Sequence, residues 1–160
     1  MNRTTDPDVT FEPEFVARLT KLFEELIVFN RTLGLHLTDI APKHAGARIE
    51  MRPELIGHFT HRRLHGGVIS ASLDALGGIA VMAAIGARHM SESIDARMAR
   101  FGKLGTIDLR IDYLRPGLGA HFSAQAEVMR LGSRVASTRM QFLDADGRLL
   151  SIGSAAYIVS

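Results

Sequence analysis

VISASLDALGGIAVMAAIGA, residues 68–87, is a twenty-residue apolar stretch interrupted by a single charge, Asp74. Its length and the absence of proline predict a helix apolar on most sides, which belongs at the centre of a fold with a sheet around it. Burying an ionised carboxylate without partners is expensive. Asp74 therefore either caps neighbouring backbone, pairs with an arginine from elsewhere, or carries chemistry. The residues just ahead, His65-Gly66-Gly67, favour chemistry. A Gly-Gly pair opening a helix leaves backbone N–H groups uncovered at its positive end, where an oxyanion or phosphate can approach. Asp74 follows Gly66 by eight residues, about 12 Å of helical rise, so a substrate whose carbonyl oxygen sits near those N–H groups can face the carboxylate.

The remaining composition sets limits. The 160 residues, 46% hydrophobic and 22% charged, describe one globular domain with a real core, expected over 11–160 behind a flexible tail at 1–10. The absence of cysteine excludes disulfides, thiolate zinc sites and a cysteine nucleophile. Met1 to Thr10 is polar and lacks the apolar core of a signal peptide, so the expected location is cytoplasmic. The 68–87 stretch is long enough to span a bilayer. Against that reading stand Asp74, the hydroxyls of Ser70 and Ser72, and an amphipathic remainder with no second span, so no membrane partner is expected.

A formal charge of +2 does not announce nucleic acid, and none is expected as a partner. Basic residues do concentrate between Arg88 and Lys103, where Arg88, Arg97, Arg100 and Lys103 face only Glu92 and Asp95. They read as a solvated segment or as a landing surface for an anionic ligand.

Outward from the central helix, Glu12 to Asn30 carries Phe15, Leu19, Leu22, Phe23, Leu26 and Ile27 at helical intervals, with Pro13 suited to the first turn; Gly34 ends this amphipathic helix. Two strands follow, around Leu35–Asp39 and Ala47–Met51, and then a polar loop from Pro53 to Leu64. Beyond Lys103 the period becomes two. Ile107, Leu109, Ile111 and Tyr113 alternate with Asp108, Arg110 and Asp112; Phe122 to Val128, Ala136 to Phe142 and Leu150 to Val159 repeat the pattern across short turns, Asp146-Gly147 among them. Short connections imply an antiparallel meander. The expected class is α+β: a curved antiparallel sheet of about six strands wrapped around one long central helix, plus an N-terminal helix.

LHGGVISASLDALGG (64–78), GTIDLRIDYLRPG (105–117), RLGSRVASTRMQF (130–142) and GRLLSIGSAAYIV (147–159), in this order, resemble the hotdog-fold acyl-CoA thioesterases, in the PaaI-type branch of the 4-hydroxybenzoyl-CoA thioesterase superfamily. The resemblance implies that Asp74 is the catalytic carboxylate, attacking an acyl-CoA thioester or activating a water that does. Gly66, helped by Gly67, would supply N–H donors to the carbonyl oxygen as it gains charge. His65 would orient neighbouring polar groups or merely anchor the turn, and Thr106 would steady the water. Members of this family pair two protomers edge to edge and share each site between them. A homodimer at minimum and a homotetramer beyond it are therefore expected, with Thr106 serving the other chain's Asp74. No metal or organic cofactor is implied, coenzyme A being part of the substrate.

One position departs from the family pattern. Many relatives carry Asn or Gln six residues before the motif histidine, where this chain has Phe59; a one-residue shift would let His58 stand in. His58, His61 and His65 invite a metal reading, which is set aside because Asp74 already has an explanation. The Arg88–Lys103 insertion would lid the acyl pocket or touch coenzyme A phosphates through Arg100, and Arg115 and Arg134 lie in turns that the family uses near the nucleotide. Two other readings stay open: a hotdog-fold enoyl-CoA hydratase, and an acyl-CoA-binding protein without catalysis.

Overall fold

The computed structural model describes residues 9–160. The tail expected at 1–10 falls mainly on residues outside that range; Val9 and Thr10 carry no regular structure.

Helix α1, Pro13–Lys21, opens on proline as expected. The single helix foreseen to Asn30 is broken, however. Leu22–Leu26 widens into a π turn, in which the Ile27 N–H reaches back to the Leu22 carbonyl at 3.0 Å. Ile27 then leaves helical geometry at φ −78°, ψ 95°, before α2, Val28–Leu33. The buried Asn30 side chain donates to the Phe23 carbonyl at 3.0 Å, replacing a bond that the widened turn gives up. The break rotates the apolar stripe, so that Phe15, Leu19 and Phe23 are buried while Leu26, Val28 and Phe29 face water. Gly34, at φ 73°, closes α2 in the left-handed conformation.

Strands β1, Leu35–Ala41, and β2, His44–Glu50, follow. The stretch expected as a polar loop contains a small hairpin of β3, Ile56–His58, and β4, Arg63–Leu64. Then come α3, Gly66–Arg88, and the short α4, Ile94–Ala99. Strands β5, Gly105–Tyr113, β6, His121–Leu131, β7, Val135–Asp144, and β8, Leu149–Ile158, complete the described chain.

Six strands form one antiparallel sheet in the order β1-β2-β6-β7-β8-β5. The expected meander holds for β6, β7 and β8 but not for β5. That strand lies at the far edge and pairs only with β8, while β6 joins β2. The Gly- and Pro-containing connection 114–120 covers three inter-strand spacings, about 14 Å, so a short connection does not force adjacency here. At the last hairpin, Asp144 Oδ1 accepts from the N–H groups of Asp146 and Arg148, and Gly147 takes φ 78°.

The sheet wraps α3, which buries Leu73, Leu76, Ile79, Ala80 and Ala83 against the inward residues Phe122, Ala124, Ala126 and Val128 of β6 and Ala136, Met140 and Phe142 of β7. The apolar window of this membrane-length helix is 78% buried inside its own fold. This architecture, one long helix held in an antiparallel sheet, is the hotdog fold. Helix α1 docks on α3 at Gly86, where a Cβ would stand 2.3 Å from Phe15 Cζ.

The basic segment between α3 and β5 packs on the N-terminal helix. Arg97 is fully buried, donates to Glu12 Oε1 at 2.6 Å and lies 4.5 Å over the Phe15 ring, while Arg18 pairs with Asp95. Arg88 donates to the carbonyls of Leu131 and Gly132 at the β6–β7 turn.

Candidate active site

The start of α3 is built by His65. Its backbone is extended and its Nδ1 accepts from the Gly67 N–H at 2.8 Å, capping the helix. An accepting Nδ1 fixes the neutral tautomer with its proton on Nε2. Gly67, expected to help bind an oxyanion, thus has its donor engaged by His65, and the donor left open is Gly66: among the described residues no hydrogen bond reaches its N–H. The Gly66 carbonyl accepts from the Tyr113 hydroxyl at 2.9 Å, which seats the end of β5 beside the helix start. A cleft of about 380 Å³ opens there, with Arg63, Gly66, Ile69, Tyr113 and Arg115 in its walls.

Asp74 is half-buried on the third turn of α3. The hydroxyls of Ser70 and Ser72 bond the helix's own carbonyls of Gly67 and Val68, so neither competes for it. Its Oδ1 accepts from the Thr106 hydroxyl of the same chain at 2.8 Å, whereas the family resemblance implied a Thr106 from the other protomer. No arginine pairs with Asp74 among the described residues.

Thr106 reaches the helix because of a β-bulge. Between Thr106, opposite Tyr157, and Asp108, opposite Ala156, the register shifts by one and Ile107 is left without a partner. Strict alternation put Ile107 with Leu109 and Ile111 on the core face. The extra residue instead leaves Ile107 57% exposed and turns Thr106 inward.

Tyr157 was not singled out by the sequence. Its hydroxyl donates to the Asp74 carbonyl at 2.9 Å and stands 3.4 Å from Asp74 Oδ1. Burial, and then the adjacent carboxylate, push the phenol far above its ordinary value, which keeps it a proton donor at any ordinary pH.

Of the other expected residues only Arg115 lies beside Gly66. His58, exposed at the end of β3, stacks on His61 at 4.8 Å and on Phe59 at 6.0 Å. Arg100 is held by both Glu92 oxygens, at 2.6 and 3.2 Å. Arg115 donates to the Leu149 carbonyl at 2.8 Å from the wall of the Gly66 cleft. Arg134 sits in the β6–β7 turn, beside Arg130 in a separate cleft of about 350 Å³.

A half-buried acid with hydroxyl partners, and a bare N–H at the start of the same helix, thus lie within a hotdog fold. The chain belongs to the thioesterase superfamily, whose family profile matches residues 61–151. It is 36% identical over 143 residues to the medium/long-chain acyl-CoA thioesterase YigI of Salmonella typhimurium, spanning 87% of this chain and 92% of that protein. The protein of the same name from Escherichia coli K12 is 35% identical over the same shares. Among solved structures, a Shewanella oneidensis protein related to the thioesterase superfamily superposes with a TM-score of 0.87 at 34% identity, covering 94% of this chain and all of that one.

Proposed function

We propose that this chain, a member of the PaaI-type branch, hydrolyses the thioester of a medium- or long-chain acyl-CoA in the cytoplasm, with Asp74 as nucleophile or general base. Water supplies the hydroxyl of the product acid, and coenzyme A leaves as the thiol. The Gly66 N–H receives the carbonyl oxygen as charge develops on it. The names of the two YigI relatives support the chain length. Arg63 and Arg115, which line the Gly66 cleft, would meet the nucleotide phosphates. The reading calls for no metal or organic cofactor, since the acid, the hydroxyls and the backbone donor supply the chemistry.

One observation carries the reading and requires two copies. Within a protomer Gly66 and Asp74 are about 12 Å apart along the helix, whereas an attacking group and its oxyanion donor must both lie within about 3.5 Å of one thioester. Strand β5 carries Thr106, bound to Asp74, at one end and Tyr113, bound to Gly66, at the other, and its outer edge is unpaired. A second copy joined antiparallel along that edge, centred between Leu109 and Arg110, sets Thr106 opposite Tyr113 of the partner subunit. Asp74 thereby comes level with Gly66 of the partner subunit. The pairing also covers an edge that exposes Ile107. Such a homodimer is the least assembly that completes a site, and pairing of dimers gives the tetramer.

The test is thiol release from acyl-CoAs of graded chain length by wild type and Asp74→Asn. Hydrolysis by the wild type that Asp74→Asn abolishes while still binding acyl-CoA supports the proposal. Wild-type binding without turnover favours an acyl-CoA-binding protein, and hydration of an enoyl-CoA favours a hydratase.

A further inference from the structure

Tyr157 stands on β8, 83 residues beyond Asp74, in contact with the acid on which the proposed reaction turns. It is 1% exposed, and its hydroxyl reaches Asp74 by crossing α3 over Gly77. A Cβ on Gly77 would lie 2.2 Å from that hydroxyl and 2.8 Å from Met140 Sδ, so only glycine opens the passage. The phenol spans the Asp74 carbonyl at 2.9 Å and Oδ1 at 3.4 Å, while Thr106 donates to the same Oδ1 at 2.8 Å. Among the described residues nothing bonds Oδ2.

We propose that Tyr157 is a positioning residue for Asp74: together with Thr106 it fixes Oδ1, so that Oδ2 is the oxygen presented to the thioester or to its attacking water. This rests on the reading of Asp74 as the reacting carboxylate. An aspartate side chain rotates about two bonds and offers two equivalent oxygens. Two hydroxyls from different strands, Thr106 donating to Oδ1 and Tyr157 sharing its one proton between the Asp74 carbonyl and Oδ1, restrict that freedom and pre-align the other oxygen. Burial and the neighbouring carboxylate keep the phenol protonated, so Tyr157 holds the acid without exchanging protons with it. Gly77 belongs to the same device, as the gap that admits the hydroxyl.

The test compares Tyr157→Phe, Gly77→Ala, their double variant and Asp74→Asn, reading kcat, KM and melting temperature on each. Tyr157→Phe keeps its ring and its burial. Its kcat is expected to fall about tenfold, the loss of one aligned hydrogen bond, with KM nearly unchanged. Gly77→Ala displaces the hydroxyl and reproduces that loss. In the Tyr157→Phe background it costs little further kcat, because the two changes remove one interaction. If Asp74→Asn is inactive while Tyr157→Phe turns over like wild type, or loses only melting temperature, the positioning role is wrong and the acid's role stands. If Asp74→Asn retains wild-type turnover, the reading of the acid itself fails.

Discussion

Thr106 Oγ1 donates to Asp74 Oδ1 at 2.8 Å, from a strand where alternation alone would turn that hydroxyl to the opposite face. The bulge at Ile107 makes the contact. Thr106→Val keeps the shape and removes the donor, so it should lower kcat several-fold to about tenfold with little change in melting temperature. Thr106→Ser should retain most activity. Steady-state kinetics on both variants decide it, and a fully active Thr106→Val would detach the hydroxyl from the reaction.

Gly66→Pro isolates the proposed oxyanion donor. His65 is already extended at φ −68°, ψ 134°, as a residue before proline must be, and proline is accommodated at the first helical position. Its Cβ would lie 3.3 Å from Tyr113 Cε1, a contact the exposed ring can relieve. The change should fold and reduce kcat by about 100-fold or more. Mixing it with Asp74→Asn then tests sharing between subunits. Refolded together, two inactive variants should recover up to about a quarter of wild-type activity, because a mixed dimer holds one intact site. No recovery in a preparation that forms mixed dimers would confine each site to one chain.

His65 caps α3 through the Gly67 N–H. His65→Ala should destabilise the fold by about 1 kcal/mol in denaturant titration, whereas His65→Asn, which also accepts at an N-cap, should cost less. Equal losses would mean that the ring's packing on Gly57 matters more than its bond.

Glu12 gives the fold an acid-dependent term. The hydrogen bond from Arg97 foremost holds its carboxyl below the ordinary value of 4.5. A group whose pKa is lower folded than unfolded stabilises the fold above the unfolded value, and that contribution drains away as pH falls through the folded value. Wild type should therefore melt higher than Glu12→Gln at neutral pH, and the gap should close as pH drops below 4.5. Melting curves between neutral and acidic pH check this; a gap independent of pH would contradict it.

Gly86→Ala should loosen α1 from α3, because the new Cβ falls on the Phe15 ring, which the buried Arg97 closes from above. About 1–3 kcal/mol is expected from such overpacking. Urea unfolding measures it.

What could be read in the chain followed from local pattern. The apolar run around Asp74 fixed the central helix, the period of two fixed four strands, and His65-Gly66-Gly67 marked the helix start. What escaped depends on relations between distant residues. Ile27 carries the right spacing for a continued helix, and only the π turn and Asn30 reveal the break. Strand β5 looks like a neighbour of β6 because the connection is short, yet the partner it requires is β8. Ile107 fits the alternation it violates. Tyr157 resembles any aromatic of a closing strand, and its meaning appears only when β8 lies across Gly77. The one available signal was the Gly77-Gly78 pair in the middle of the helix.

Because β5 touches the sheet solely through β8, both hydroxyls that hold Asp74 wait on residues far along the chain. A nascent polypeptide on the ribosome can carry the acid and its helix long before Tyr157 has been polymerised, and during that interval the carboxylate has no fixed direction.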